Sequence, residues 1–361
     1  MAASLPHACV MGDPARLASR AAVAEQAASQ RRAVAAEDIF LSQPGRLDDQ
    51  TRAATLRMAE ATVGAIEQQL TRDAARALTA VGRRDAATVF ESNHSLAWPR
   101  LLDAGLMRDA ELIGELIAQA RIDLLDESLA ALRVHDAAPT LISNLVEHGD
   151  ATQRAAAVAY LVADGARRLS PAGRRAALPE ALTTRLVWWV AAALREELGA
   201  TAGIEADVAL CEAARHYLTQ ERGTDPAEAA MHLATSLRPV GEARGEVLVQ
   251  SLDGARVSLF AALLAQAVGI DAGAARALLL DTGSDRLWLA LRAAGLGRDA
   301  IARAGFLLSE ADRERDLTML VETLDPLVAL DPAVAAQAIA ALKLPQDFRD
   351  AVQMLARRQA T

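Results

Sequence analysis

Apolar positions along the chain recur with helical rather than strand periodicity. In residues 151–164, Ala155, Val158, Ala159 and Val162 stand at i, i+3, i+4 and i+7, which places one apolar stripe on a helix. Leu141, Leu145 and Val146 repeat the pattern one element earlier, and Leu186, Val190, Ala193 and Leu194 form an apolar face within residues 185–198. Such runs, roughly 10 to 18 residues each, are closed by glycine at Gly82, Gly105, Gly149, Gly199, Gly269 and Gly295. Four Asp-Pro pairs, beginning at Asp13, Asp225, Asp325 and Asp331, put a capping oxygen ahead of a proline suited to a first helical turn, so most should open helices. Helices this short are marginal alone and must bury their stripes on neighbours. The expected fold is all-α: a HEAT-like α-solenoid or an irregular multi-helix stack.

An internal echo points to duplication. WPRLLDAGLMRDA at 98–110 and WLALRAAGLGRDA at 288–300 share eight of thirteen residues without a gap, including Trp98/Trp288, Gly105/Gly295 and Asp109/Asp299. Each copy predicts a Trp-anchored helix, a Gly-Leu turn and a new helix with Asp near its start, where it suits the dipole. The organisation expected is an Ala-rich arm over 1–45, a helical array over 46–200 and a second array over 204–361, divided by the small-residue break at 199–203. From Pro345, a last helix lines Phe348, Ala351, Val352 and Leu355 along one side and is expected to cap the stack.

Composition narrows the function classes. Hydrophobic residues make up 52% of the chain but aromatics only 3%, so the apolar content is Ala, Leu and Val, which favours helices over strands. A net charge of −9 argues against nucleic acid as a partner. The two cysteines, Cys9 and Cys211, form no metal or disulfide motif, which suits a reducing cytoplasm. No segment reads as a signal peptide, and the longest apolar run, 187–194, falls far short of the roughly 20 residues that span a bilayer.

The runs at 182–195 (LTTRLVWWVAAALR) and 258–300 (SLFAALLAQAVGIDAGAARALLLDTGSDRLWLALRAAGLGRDA) resemble the alphaproteobacterial helical family known as domain of unknown function 2336. Residues 47–78 resemble the opening of that family's array, so the likeness covers about 47–355. The resemblance implies a HEAT-like stack of helices from a bacterium and carries no activity or site with it. The early array departs from regular HEAT units in lacking repeated Asp-Pro-x-Val-Arg turns.

The residues show no catalytic machinery. The six histidines have no metal-ligand spacing, and no GxSxG elbow, Walker loop or GxGxxG fingerprint is present, so neither a cofactor nor an enzymatic activity is expected. Two stretches suggest contact surfaces. Residues 167–175 hold Arg167, Arg168, Arg174 and Arg175, a positive patch suited to an acidic segment or a phosphate-bearing partner, although charged loops are usually just solvated. On the helix at 185–198, Trp188 and Trp189 fall outside the centre of the apolar face, near Arg185 and Arg195, where they either cover a neighbouring helix or meet a partner. The sequence therefore points to a non-enzymatic scaffold or adaptor for a protein partner. The alternatives are a small-ligand sensor or enzyme with its site between the two helical halves, or a homo-oligomer joined through Ala-rich faces.

Overall fold

The computed structural model describes residues 47–90, 95–133, 139–168, 174–199, 203–220, 225–282, 285–345, 347–349, 351–352 and 355. The expected arm at 1–45, the Asp13-Pro14 pair, Cys9 and the side chain of Arg168 lie outside the described residues. Among the described residues every regular element is a helix and no strand occurs, so the chain is an all-α, multi-helix protein. The helices are α1 (Asp49–Ala80), α2 (Arg84–Phe90), α3 (Ala97–Asp103), α4 (Ala110–Leu132), α5 (Leu141–His148), α6 (Ala151–Arg168), α7 (Glu180–Glu197) and α8 (Ile204–Thr219). They continue with α9 (Pro226–Leu237), α10 (Glu242–Asp253), α11 (Val257–Val268), α12 (Ala272–Leu280), α13 (Arg286–Ala293), α14 (Arg298–Ala311), α15 (Leu317–Ala329) and α16 (Pro332–Ala338).

Punctuation works largely as the residues dictate. Asp225 and Asp331 cap α9 and α16 by accepting from the amides of Ala227 and Ala333, with the following proline in the first turn. Asp325-Pro326 does not open a helix. Pro326 lies inside α15, which continues because Leu320, Leu324 and Leu327 are buried, while the Asp325 carboxylate pairs with Arg298 instead of capping. The echoed segments form the same helix–turn–helix, with Gly105 and Gly295 at φ of 73° and 85°. They differ in register. Asp109 caps α4 from outside after a 3₁₀ turn at Leu106–Arg108, whereas Asp299 falls within the first turn of α14 behind Gly297.

Two apolar cores result. The first joins α1, α2, α3 and the start of α4 to α7 and α8, through residues such as Ile66, Leu70, Leu112, Val187 and Leu210. The second joins the end of α4 to α5, α6 and helices from α9 onward, around Tyr160, Phe260, Leu263 and Trp288. Each core therefore draws residues from both sides of the 199–203 break. With 23 residues, α4 is about 35 Å long. Leu112 and Leu116 serve the first core and Ile122, Leu125 and Leu129 the second, so one helix runs through both.

Consecutive helices pair, as in α5–α6, α7–α8, α11–α12 and α14–α15, yet α4 also packs on α10, α11, α12 and α14, far away in sequence. The pairs are thus not strung in one dimension, each touching only the next. At the centre, α11 buries Val257, Leu259, Phe260, Leu263 and Leu264 on one side and Ala261, Ala262 and Ala265 on the other. No single helix among the described residues is long and apolar enough to cross a membrane; the apolar pair α11 and α12 is bent by 118°. Near the second core's edge Arg315, 5% exposed, stacks 5.5 Å from the Trp288 ring and donates to the Leu279 carbonyl at 2.6 Å; burial lowers its guanidinium pKa.

Two predicted faces turn out differently. On α6 the stripe of Ala155, Val158, Ala159 and Val162 is exposed, and the buried face is Ala156, Ala157, Tyr160, Ala163 and Asp164. Two demands outweigh the valines. The small residues of α6 approach Ala229, Ala230 and Ala234 on the adjoining α9, and Asp164 binds Arg256 at 2.9 Å. In the C-terminal stretch, Phe348, Val352 and Leu355 are 56%, 49% and 63% exposed and shield no apolar end. Polar bonds hold that stretch instead, from Arg349 to the Leu344 carbonyl and to Asp271.

Candidate functional site

Five polar residues of α4 gather on one side. Glu115, Gln119 and Asp123 follow at four-residue steps, with Asp126 and Glu127 one turn on. Asp126 accepts from the Val257 amide at 2.8 Å and so anchors the start of α11. Glu115 takes both guanidinium nitrogens of Arg276, at 2.7 and 2.5 Å.

The rest of the stripe holds residues 174–179, a strap without helix between α6 and α7. Ala177 donates its amide to Gln119 Oε1 at 2.9 Å, and Gln119 Nε2 donates back to the Ala177 carbonyl at 2.6 Å. The Ala176 amide reaches Thr62 Oγ1 on α1 at 2.9 Å. Backbone groups that lack a helical partner are thus met by side chains of α1 and α4. Gln119 Nε2 also donates to Glu115 at 2.7 Å, which fixes the amide's orientation.

The strap explains where the arginine patch points. Arg167 forms a two-pronged pair with Asp123, whose side chain is only 5% exposed, and Arg174 adds contacts to Asp123 and to Glu127 at 2.9 Å. Their charge is therefore spent inside the protein. Arg175 is exposed and has no side-chain partner among the described residues. The α7 candidates stand elsewhere. Arg185 binds Asp109 at 2.9 Å and Glu111 at 3.0 Å at the start of α4, and Arg195 binds Asp207 on α8 at 3.0 Å. Trp188 is 36% exposed, whereas Trp189 packs against the first core.

Among the described residues, three spaces lie around the strap. The largest, about 820 Å³, is a groove between α1, α6, the strap, and the facing parts of α8 and α9, with Ile66, Val162, Leu178, Tyr217 and Pro226 in its walls. The exposed stripe of α6 enters it through Ala159 and Val162, and Arg175 and Glu180 stand at either end of the strap wall. Beyond Pro179 and Pro226 a smaller cavity of about 250 Å³ opens between α4, α9, α11 and α12. A third space of about 460 Å³ lies between α1 and α4, with Arg174 at its wall. Arg167 and Arg175 are thus brought together at the groove; Arg185, Trp188 and Arg195 do not line it. Thr62, Gln119 and Asp123 had a signal in the sequence: polar side chains at helical spacing amid apolar neighbours. The arginines alone drew attention because charge density is easier to read than spacing.

Among the described residues no group of three or more His, Cys, Asp or Glu is placed to hold a metal ion. The arrangement is one of concave surfaces on a helical frame. Sequence comparison gives the family. The profile described as "Uncharacterised protein conserved in bacteria (DUF2336)" matches residues 99–330, and the chain belongs to that family. The matched region contains the α4 stripe, the strap and the smaller cavity, while the α1 wall of the groove precedes it. No curated protein and no solved structure matches the chain.

Proposed function

We propose that this chain is a non-enzymatic, multi-helix scaffold of the bacterial cytoplasm that binds a partner protein in the groove over α6. The observation that carries this reading is the open stripe of Ala155, Val158, Ala159 and Val162, with Val158 and Val162 44% and 65% exposed. Ala159 and Val162 line the groove and Ala155 and Val158 continue the stripe beyond it, so an apolar track at helical spacing leads into a concave surface, the complement of an amphipathic helix in the helix-in-groove mode of recognition. Charge complementarity narrows the occupant. Arg175 is exposed at the strap with no carboxylate partner among the described residues, so the partner helix carries an acidic residue there. Covering Val158 and Val162 contributes on the order of 1 kcal/mol each, enough to tune affinity about tenfold.

The test begins with affinity capture from the native host and continues with the purified partner. Val162→Asp is expected to weaken binding at least tenfold while leaving the melting temperature unchanged, because the side chain already faces water. Arg175→Glu should also weaken it, and reversing the acidic residue on the partner should restore it. Equal affinity of wild type and Val162→Asp for every captured protein would refute the groove. A concentration-dependent dimer in light scattering, lost in Val162→Asp, would make the occupant a second copy of the chain.

A further inference from the structure

We propose that the cavity between α4, α9, α11 and α12 is a binding site for a small uncharged molecule with an apolar body and one hydrogen-bonding group. This rests on the cavity's own chemistry and not on the groove.

The space of about 250 Å³ exists because its walls are built from small residues: Ala177, Ala227, Ala261, Ala262, Ala272 and Gly273. On α11 the contrast is local. Leu259, Phe260, Leu263 and Leu264 fill the core around it, and only Ser258, Ala261 and Ala262 turn toward the opening. A protein interior is otherwise close-packed, so a recess of this size beside its most enclosed helix is room for an occupant.

The charges at the wall decide what the occupant is. Glu115 and Arg276 hold each other through two bonds, and Arg167 is held in the same way by Asp123. Gln119 spends both amide hydrogens on Glu115 and Ala177 and its oxygen on the Ala177 amide. Asp225 is engaged in capping α9. A charged ligand would have to break one of these pairs and leave its partner stranded, which is costly in a partly desolvated site. The Ser258 hydroxyl is the one side-chain polar group of this wall with no protein hydrogen-bond partner among the described residues. It offers the ligand both a donor and an acceptor. The walls come from residues 115–179 and 225–276, so ligand binding joins stretches on both sides of 199–203.

The full-length protein is titrated with phenol, indole and 1-hexanol, and with benzoate, hexanoate and hexylammonium as charged counterparts, read by ligand-observed NMR and thermal shift. The uncharged probes are expected to bind saturably and raise the melting temperature, and the charged ones to bind at least tenfold more weakly. Ser258→Ala should weaken phenol about five- to tenfold and leave toluene unchanged, as the loss of one hydrogen bond requires. Ala262→Leu should fill the cavity and abolish binding; Ala272→Leu, at a less enclosed position, makes the same test if the first variant misfolds. The proposal is overturned if no uncharged probe binds, if charged probes bind equally well, or if a folded filled variant binds phenol like the wild type.

Discussion

Replacing Asp123 by alanine strands Arg167. In the folded protein the Asp123 and Arg167 side chains are 5% and 11% exposed, and Arg174 approaches the same carboxylate at 3.7 Å with 26% exposure. Removing one partner of a buried pair costs about 3–5 kcal/mol, because the surviving charge keeps its desolvation without its attraction. Arg174 retains Glu127, but that carboxylate is 54% exposed and its pair contributes at most about 1 kcal/mol. The Asp123→Ala variant is therefore expected to lose about 3–5 kcal/mol, with little dependence on salt because the pair is shielded from solvent. Equilibrium denaturation of wild type, Asp123→Ala, Arg167→Ala and the double variant gives the coupling directly. Asp123→Leu with Arg167→Met should recover most of the loss, since an apolar pair removes both charges together. If the single variants each cost less than about 1 kcal/mol and their effects simply add, the two arginines are solvated, and the inward neutralisation described here is wrong.

Other consequences are equally direct. Gly305→Ala gains about 1 kcal/mol of helix propensity, but its methyl would collide with Cδ2 of the buried Leu320, so over-packing of about 1–3 kcal/mol should make the variant less stable in denaturant titration. Burial would raise the pKa of Asp73, but hydrogen bonds from His216, Gln69 and Arg76 outweigh it and hold the pKa below the usual 3.8. Asp73 therefore stabilises the fold above that value, and the deficit of Asp73→Asn, measured as stability against pH, should vanish as the medium is acidified through the folded-state pKa. Trp188→Ala should cost less than about 1 kcal/mol whereas Trp288→Ala, 5% exposed in the native state, should cost about 3–5 kcal/mol; similar losses for both would place Trp188 in a core.

Helix class, most boundaries and the glycine turns were legible because they depend on local chemistry: an aspartate oxygen meets an amide two or three residues on, and a glycine takes positive φ. The buried face of α7 was legible too, since Leu186, Val190, Ala193 and Leu194 outweigh any other face of that helix. On α6 two faces of nearly equal apolarity competed, and the choice was made by Tyr160, by Asp164 and by the alanines of α9, none of which periodicity weighs. The candidate site was only partly legible. Arg167 and Arg174 stood out as a basic cluster, but their direction is set by Asp123, more than 40 residues earlier, and their inward turn appears only once α4 is placed. The strap looked like an ordinary loop because its partners, Thr62 and Gln119, lie 114 and 58 residues away.

Residues 174–179 border all three hollows, the groove through Arg175 and Leu178, the small cavity through Ala177 and Pro179, and the third through Arg174. Such a party wall has a mechanical consequence. An occupant that pushes it by a fraction of an ångström on one side alters the shape offered on the other two, and the paired Gln119 bonds set how far it yields. Crosstalk between ligands would then need no long relay through the protein, only the give of six residues.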